Sequence, residues 1–251
     1  VASDTSALYY NPAGLARLNA HELSYSFLTG LDDNDLSHAA YGGPLSFSGL
    51  SGNGYSSVGG SILLSDSGRI EVNRTNADGS FAGSENLSAG SDFVATVGYA
   101  ERVGSTPLEF KDSAFGINHF AGISGKFIRS TLVVQFSDHE FTADAGYLVN
   151  SPELGLTFAV SALNVNGQLK YNEEGDPLPT LIRYGMAYQT GAPNQHALTL
   201  AADGEWHAHE DRFHANAGLE YFLLRNYGVR IGYQFLRDTV GLTAGFGLRW
   251  R

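Results

Sequence analysis

The chain has no cysteine, a single methionine and only three lysines, Lys111, Lys126 and Lys170, among its 251 residues. Without cysteine there are no disulfides, no thiolate catalysis and no cysteine-based zinc or iron–sulfur site. Scarce lysine and a net charge of −11 argue against nucleic acid as a partner, because phosphate backbones call for Lys/Arg patches. No stretch approaches the roughly 18 consecutive apolar residues of a membrane helix, so a helical membrane protein is excluded. Charge is thin as well: 16% of residues, against roughly 25% in an average soluble protein. What is plentiful is glycine, at 31, and Tyr and Phe, at 13 and 15, a composition that favours strands and turns over helices.

The C-terminal part alternates with period two. Ile182, Tyr184, Met186 and Tyr188 are separated by Arg183, Gly185, Ala187 and Gln189, and Leu198, Leu200 and Ala202 by Thr199, Ala201 and Asp203. Phe213 to Tyr221, Tyr227 to Phe235 and Val240 to Trp250 continue the pattern, with His214, Asn216, Glu220, Arg230, Gln234 and Arg249 in the polar set. Such alternation over about ten residues marks strands with one apolar and one polar or small face. Seven earlier strands are read less sharply at 22–29, 37–47, 57–73, 86–100, 114–130, 140–150 and 154–164, giving twelve.

A soluble sandwich and a membrane barrel both fit an antiparallel meander. Strands of about 9–11 residues, aromatics near their ends and a wet polar face favour the membrane barrel, whose closure removes edges that lipid cannot satisfy. Short turns at 151–153, 191–195 and 224–226 and longer links at 74–85 and 165–180 follow the periplasmic and external sets of such barrels. Both chain ends then lie in the periplasm. The expected location is a bacterial outer membrane, in contact with its lipid, the signal peptide having been removed.

Residues 4–18, DTSALYYNPAGLARL, do not alternate, and Asn11-Pro12 reads as a helix start with Asn11 as N-cap. Residues 1–20 are therefore set apart from a barrel of residues 21–251. SALYYNPAGLARL, with DPLPTLIRYGMAYQ, GLEYFLLRNYGVRIGYQF and GLTAGFGLRW further on, resembles the FadL-like outer-membrane proteins, and particularly their PorV/PorQ branch. The resemblance covers most of the chain, weakly between residues 30 and 110. It implies a fourteen-stranded barrel with an N-terminal hatch to which Asn11, Pro12 and Ala13 belong. A chain ending Trp250-Arg251, rather than on an aromatic residue, reads as trimmed at both ends.

Parity places Arg183, Asp203, Glu205, Glu220, Arg230 and Arg249 on the inner face, where an ion-paired network that stiffens the barrel is preferred over a ligand-binding constriction. EWHAHEDRFH brings Glu205, His207, His209, Glu210, Asp211 and His214 together in sequence, with His207 and His209 on one strand face. It reads as a polar hairpin end, and neither a metal nor another cofactor is expected. LDDNDL at 31–36 lacks the Gly and distal Glu of a calcium loop and reads as a solvated turn. No nucleophile elbow or phosphate-binding loop is present, so no enzyme is expected. Two roles follow from the resemblance. A PorV-like barrel would serve protein secretion or surface attachment through its external loops. A FadL-like one would pass hydrophobic small molecules, with a hydrophobic ligand or detergent against the hatch.

Overall fold

The computed structural model describes residues 2–30, 34–110, 113–133, 136–170, 175–192, 196–224, 226–236 and 241–249. Asp32 and Asp33 of the 31–36 turn, and Val240 and Trp250 of the last alternating run, lie outside them. Alternation has become one antiparallel sheet. Its strands are β1 Glu22–Thr29, β2 Asp35–Pro44, β3 Ser56–Asp66, β6 Gly90–Phe110, β7 Ser113–Leu132, β8 Phe136–Ser151 and β9 Leu156–Val165. It continues with β12 Leu181–Ala192, β13 His196–His207, β14 Arg212–Leu223, β15 Tyr227–Phe235 and β16 Leu242–Leu248. Each strand pairs with the next in that order, so this is an up-and-down meander of twelve strands. The end strands β1 and β16 do not pair with each other among the described residues.

Two hairpins stand outside the sheet: β4 Arg69–Thr75 with β5 Phe81–Ser88, and β10 Gln168–Leu169 with β11 Asp176–Pro177. The first corrects the expected strand 57–73. Asp66 Oδ1 accepts the Gly68 N–H at 3.0 Å and Gly68 takes φ +77, so the chain turns there and pairs with itself. The same hairpin claims residues 86–88 from the expected strand 86–100.

The two faces of the sheet differ as the alternation requires. On one face Val97, Ile123, Phe141, Ile231 and Phe246 are more than half exposed. Along β6 this apolar face runs from Ser91 to Glu101, ten steps of about 3.3 Å, or about 25 Å of height at the roughly 40° tilt of a membrane barrel. On the other face lies the chain's own N-terminal segment: helix α1, Ala7–Tyr10, and a 3₁₀ turn, Pro12–Arg17. Ala7, Leu8, Ala13 and Leu15 are all but completely buried, and with Phe120 and Leu148 they form the hydrophobic core.

Glycine lets the segment come this close. Gly42, Gly59 and Gly98 stand side by side on β2, β3 and β6, and Gly122 faces Gly146 across β7 and β8. A Cβ on Gly98 would lie 2.9 Å from Leu8 Cδ2, and one on Gly122 would lie 2.5 Å from the backbone of Pro12 and Ala13. At Gly146 it would overlap the Asn11 amide oxygen. Residues Tyr9–Leu18 meet the same face of seven successive strands, β2 through β12, which laid flat would span about 29 Å. The sheet curves around them.

Gly122→Val should therefore lower stability by roughly 1–3 kcal/mol through overpacking against backbone that has no room to shift. Gly125→Val, where a Cβ meets open space, should not. Urea midpoints of the two variants check this; equal shifts would show that the segment is not seated on Gly122.

Candidate functional site

Asn11 fastens the segment. Its Oδ1 accepts the Ala13 N–H at 3.0 Å, which caps the 3₁₀ turn, and its Nδ2 donates to the Val160 carbonyl at 3.0 Å and the Tyr147 carbonyl at 3.4 Å. One buried amide thus ties the segment to β8 and β9. Pro12 occupies the first helical position, where its missing N–H costs nothing. Ala13 packs its backbone on Gly122. Thr5 closes the other end, its N–H and hydroxyl donating to Glu22 Oε1 at 3.2 and 3.0 Å.

Arg183 on β12 is the side chain that joins the segment to the C-terminal strands. Its Nη1 donates to the Tyr9 carbonyl at 3.0 Å, and its guanidinium carbon lies 5.1 and 5.3 Å from the centres of the Tyr9 and Tyr10 rings. Its Nε donates to Glu205 Oε2, directly opposite on β13. Both side chains are mostly buried, at 16% and 14% exposure, so each charge depends on the other. Partial burial, then the neighbouring Tyr9, raise the Tyr10 hydroxyl above its ordinary value, so it stays neutral beside Arg183.

The other inner-face charges separate into pairs. Glu220 and Arg230 face each other across β14 and β15, and Arg230 Nε donates to Glu220 Oε1. Their exposure is higher, 29% and 58%, and with Thr199, Gly218, Gly232 and Thr243 they line a cavity of about 430 Å³. Asp203 accepts from Asn216 Nδ2 at 2.8 Å. Arg249 differs from expectation: its guanidinium lies 4.7 Å above the Phe222 ring, and among the described residues no carboxylate is within ion-pair distance. Phe222 and Arg249 share the inner face near the ends of their strands, where a stacked guanidinium can remain hydrated. The interior therefore holds discrete cross-strand pairs in place of one network.

The most buried pair was not singled out in the sequence. Lys126 Nζ lies 3.0 Å from Asp144 Oδ2, at 10% and 0% side-chain exposure, with Ser124 Oγ donating to the same oxygen at 2.7 Å. Asp144 Oδ1 accepts the Asn164 N–H at 2.8 Å, and Lys126 donates to Asn164 Oδ1 at 2.9 Å. The signal existed: Asp144 interrupts the apolar run Phe141, Ala143, Ala145, Tyr147 at inner parity, and Lys126 is one of three lysines.

Within EWHAHEDRFH the structure brings Glu205, His207 and His214 together. His209 is elsewhere. Strand β13 ends at His207, and His209 in the following turn lies 3.4 Å from the Thr180 hydroxyl.

No family model and no curated protein matches the chain. Among solved structures it is similar to outer membrane phospholipase A from Escherichia coli, at 11% identity and TM-score 0.49, covering 99% of this chain and 98% of that one. It is also similar to the Salmonella typhi outer membrane phospholipase dimer with bound calcium, at 11% identity and TM-score 0.47, covering 86% and 79%. Likeness of this order says nothing about activity.

Lys126→Met leaves Asp144 charged, buried and unpaired, and should cost about 3–5 kcal/mol. Arg74→Met breaks a pair on the β4–β5 hairpin exposed at 61% and 46%, and should cost under about 1 kcal/mol. Denaturant unfolding compares the two; similar losses would mean that the Lys126–Asp144 pair is hydrated.

Proposed function

We propose that the chain is an outer-membrane β-barrel whose lumen is occupied by its own N-terminal hatch, and that it serves in protein secretion or surface attachment as a PorV-like membrane anchor. One observation carries this reading: the Tyr9–Leu18 segment, buried from Asn11 to Ala16, seated on Gly42, Gly59, Gly98, Gly122 and Gly146 and fastened by Asn11 and Arg183. A lumen filled by fitted backbone is built for permanence more than for passage. The work then falls to what projects from the wall, above all the β4–β5 hairpin, whose Ile70 and Phe81 side chains are exposed. Proteins of a secretion or surface apparatus are the partners this reading assigns, with lipid around the wall.

The apolar outer face supports the membrane setting. Contiguous apolar surface this extensive is not left to water by soluble monomers. Transport of hydrophobic molecules is the weaker alternative, because the part of the interior left open carries the half-exposed charges of Glu220 and Arg230 among small residues such as Ala201 and Gly232. The engagement of Lys126, Arg183 and Arg230 with carboxylates supports structural duty over catalysis.

Two measurements test the reading. In lipid vesicles Ile231→Arg, on the outer face at mid-strand, should cost about 2–4 kcal/mol, while Thr199→Arg, opposite Glu220 on the inner face, should cost far less. Equal costs would remove the membrane assignment. In planar bilayers the intact chain should show no steady ohmic current, and a chain lacking residues 2–18 should conduct. Steady current through the intact chain would replace the anchor with a channel.

A further inference from the structure

The inner face beside the seated segment carries a cluster of nitrogen and oxygen donors of which charge pairing explains Glu205 and His207 but not His214. Glu205 on β13 faces His214 on β14 in register, and His207, two residues along β13, projects from the same face. One donor atom from each lies within 4.8 Å of the others. His207 Nε2 is 2.8 Å from Glu205 Oε1, and the two imidazole rings meet edge to face with centres 5.0 Å apart. His214 Nδ1 is buried and has no hydrogen-bond partner, although a strong polar atom withdrawn from water normally finds one.

We propose that Glu205, His207 and His214 form a binding site for a divalent transition-metal cation, with Zn²⁺ the best fit. Two imidazoles and one carboxylate make a borderline donor set suited to such ions, whereas Ca²⁺ and Mg²⁺ take oxygen ligands. His214 would bind through Nδ1, which ends that atom's isolation. Glu205 would bind through Oε1, since Oε2 is held by Arg183, and that ion pair then orients the ligating carboxylate. His207 would bind through Nε2, with its ring proton on Nδ1. Zinc bonds of about 2.0–2.2 Å set tetrahedral donors roughly 3.4 Å apart, so modest side-chain rotations close the cluster. Water completes the coordination. The sequence pairing of His207 with His209 is replaced by a cross-strand pairing of His207 with His214, because β13 ends before His209. The site does not depend on whether the chain anchors proteins or conducts.

The test uses the full chain, purified in detergent and stripped with a chelator, titrated with Zn²⁺ by calorimetry and with Co²⁺ by absorption. Stoichiometric binding is expected, weakened at least about tenfold in His207→Ala and in His214→Ala and unchanged in His209→Ala. Failure of the unmodified chain to bind Zn²⁺ stoichiometrically, or equal losses in all three variants, would overturn the proposal. Should either alanine variant not fold, the Co²⁺ spectrum of the unmodified chain decides. Intense ligand-field bands of a nitrogen-ligated, low-coordinate ion support the site, and the pale spectrum of the aquo ion overturns it.

Discussion

A helical turn cannot normally lie directly on a sheet, because two layers of side chains hold packed backbones about 10 Å apart. Here the Pro12–Ala13 backbone rests on the strand itself at Gly122, and the Asn11 amide fills the place of a side chain at Gly146. This contact works only if the glycines of neighbouring strands line up on one face, so it makes a demand on register. A slip of one residue would turn Tyr41, Val58 and Val97 toward the segment in place of Gly42, Gly59 and Gly98. The other face makes the same demand, since those three exposed apolar residues belong to it. Inner packing and outer hydrophobicity select the same pairing, and that agreement specifies the N-terminal half of the sheet.

Charge on the inner face follows from the same geometry. A side chain at inner parity lies on the segment's side of the sheet, and near the segment it is kept from much of the water. Lys126 and Asp144, nearly without exposure, are satisfied by each other and by Ser124 and Asn164. Arg183 and Glu205, at the segment's edge, are satisfied by each other, by His207 and by the Tyr9 carbonyl. Glu220 and Arg230, beyond the segment, are paired but half in solvent. The less exposed the pair, the more protein groups satisfy it. That gradient is what desolvation would produce, since a charge needs a protein partner in proportion to the hydration it has lost.

Alternation was legible because the strands from Leu181 onward separate apolar from polar or small positions with few exceptions, Leu181 and Phe222 among them, and parity then placed Arg183, Glu205, Glu220 and Arg230 on one face. Parity says which face a residue occupies, but it does not say which neighbour it meets. Pairing depends on register between strands, so the Arg183–Glu205 contact, the Lys126–Asp144 pair and the approach of His214 to Glu205 were out of reach. The turn at Gly68 was missed for a different reason: Leu63, Leu64 and Ile70 maintain strand-like composition through it. In the sequence the glycines of β2 to β8 count only toward a composition that favours strands and turns. Their actual requirement is set by a segment more than twenty residues distant in sequence, and no local pattern carries that information.

The two ends of the sheet use small residues differently. A Cβ on Gly42, Gly59, Gly98, Gly122 or Gly146 would press on the N-terminal segment, so at these positions the absence of a side chain is a packing requirement. On β16, Gly247 faces open space, and a Cβ on Gly245 would come no nearer than 3.8 Å to Arg230. Packing does not demand glycine there. Its effect is to keep the wall low beside Glu220 and Arg230, leaving the cavity of about 430 Å³ open toward β13 and β14. The interior is thus filled on one side and recessed on the other, and Arg183, Glu205, His207 and His214 stand along the boundary. Side chains on that boundary combine two properties that neither side offers alone: orientation fixed through the anchoring arginine, and partial exposure. A donor cluster placed deeper among the glycines would be sealed, and one placed further along β15 and β16 would have nothing to hold its geometry.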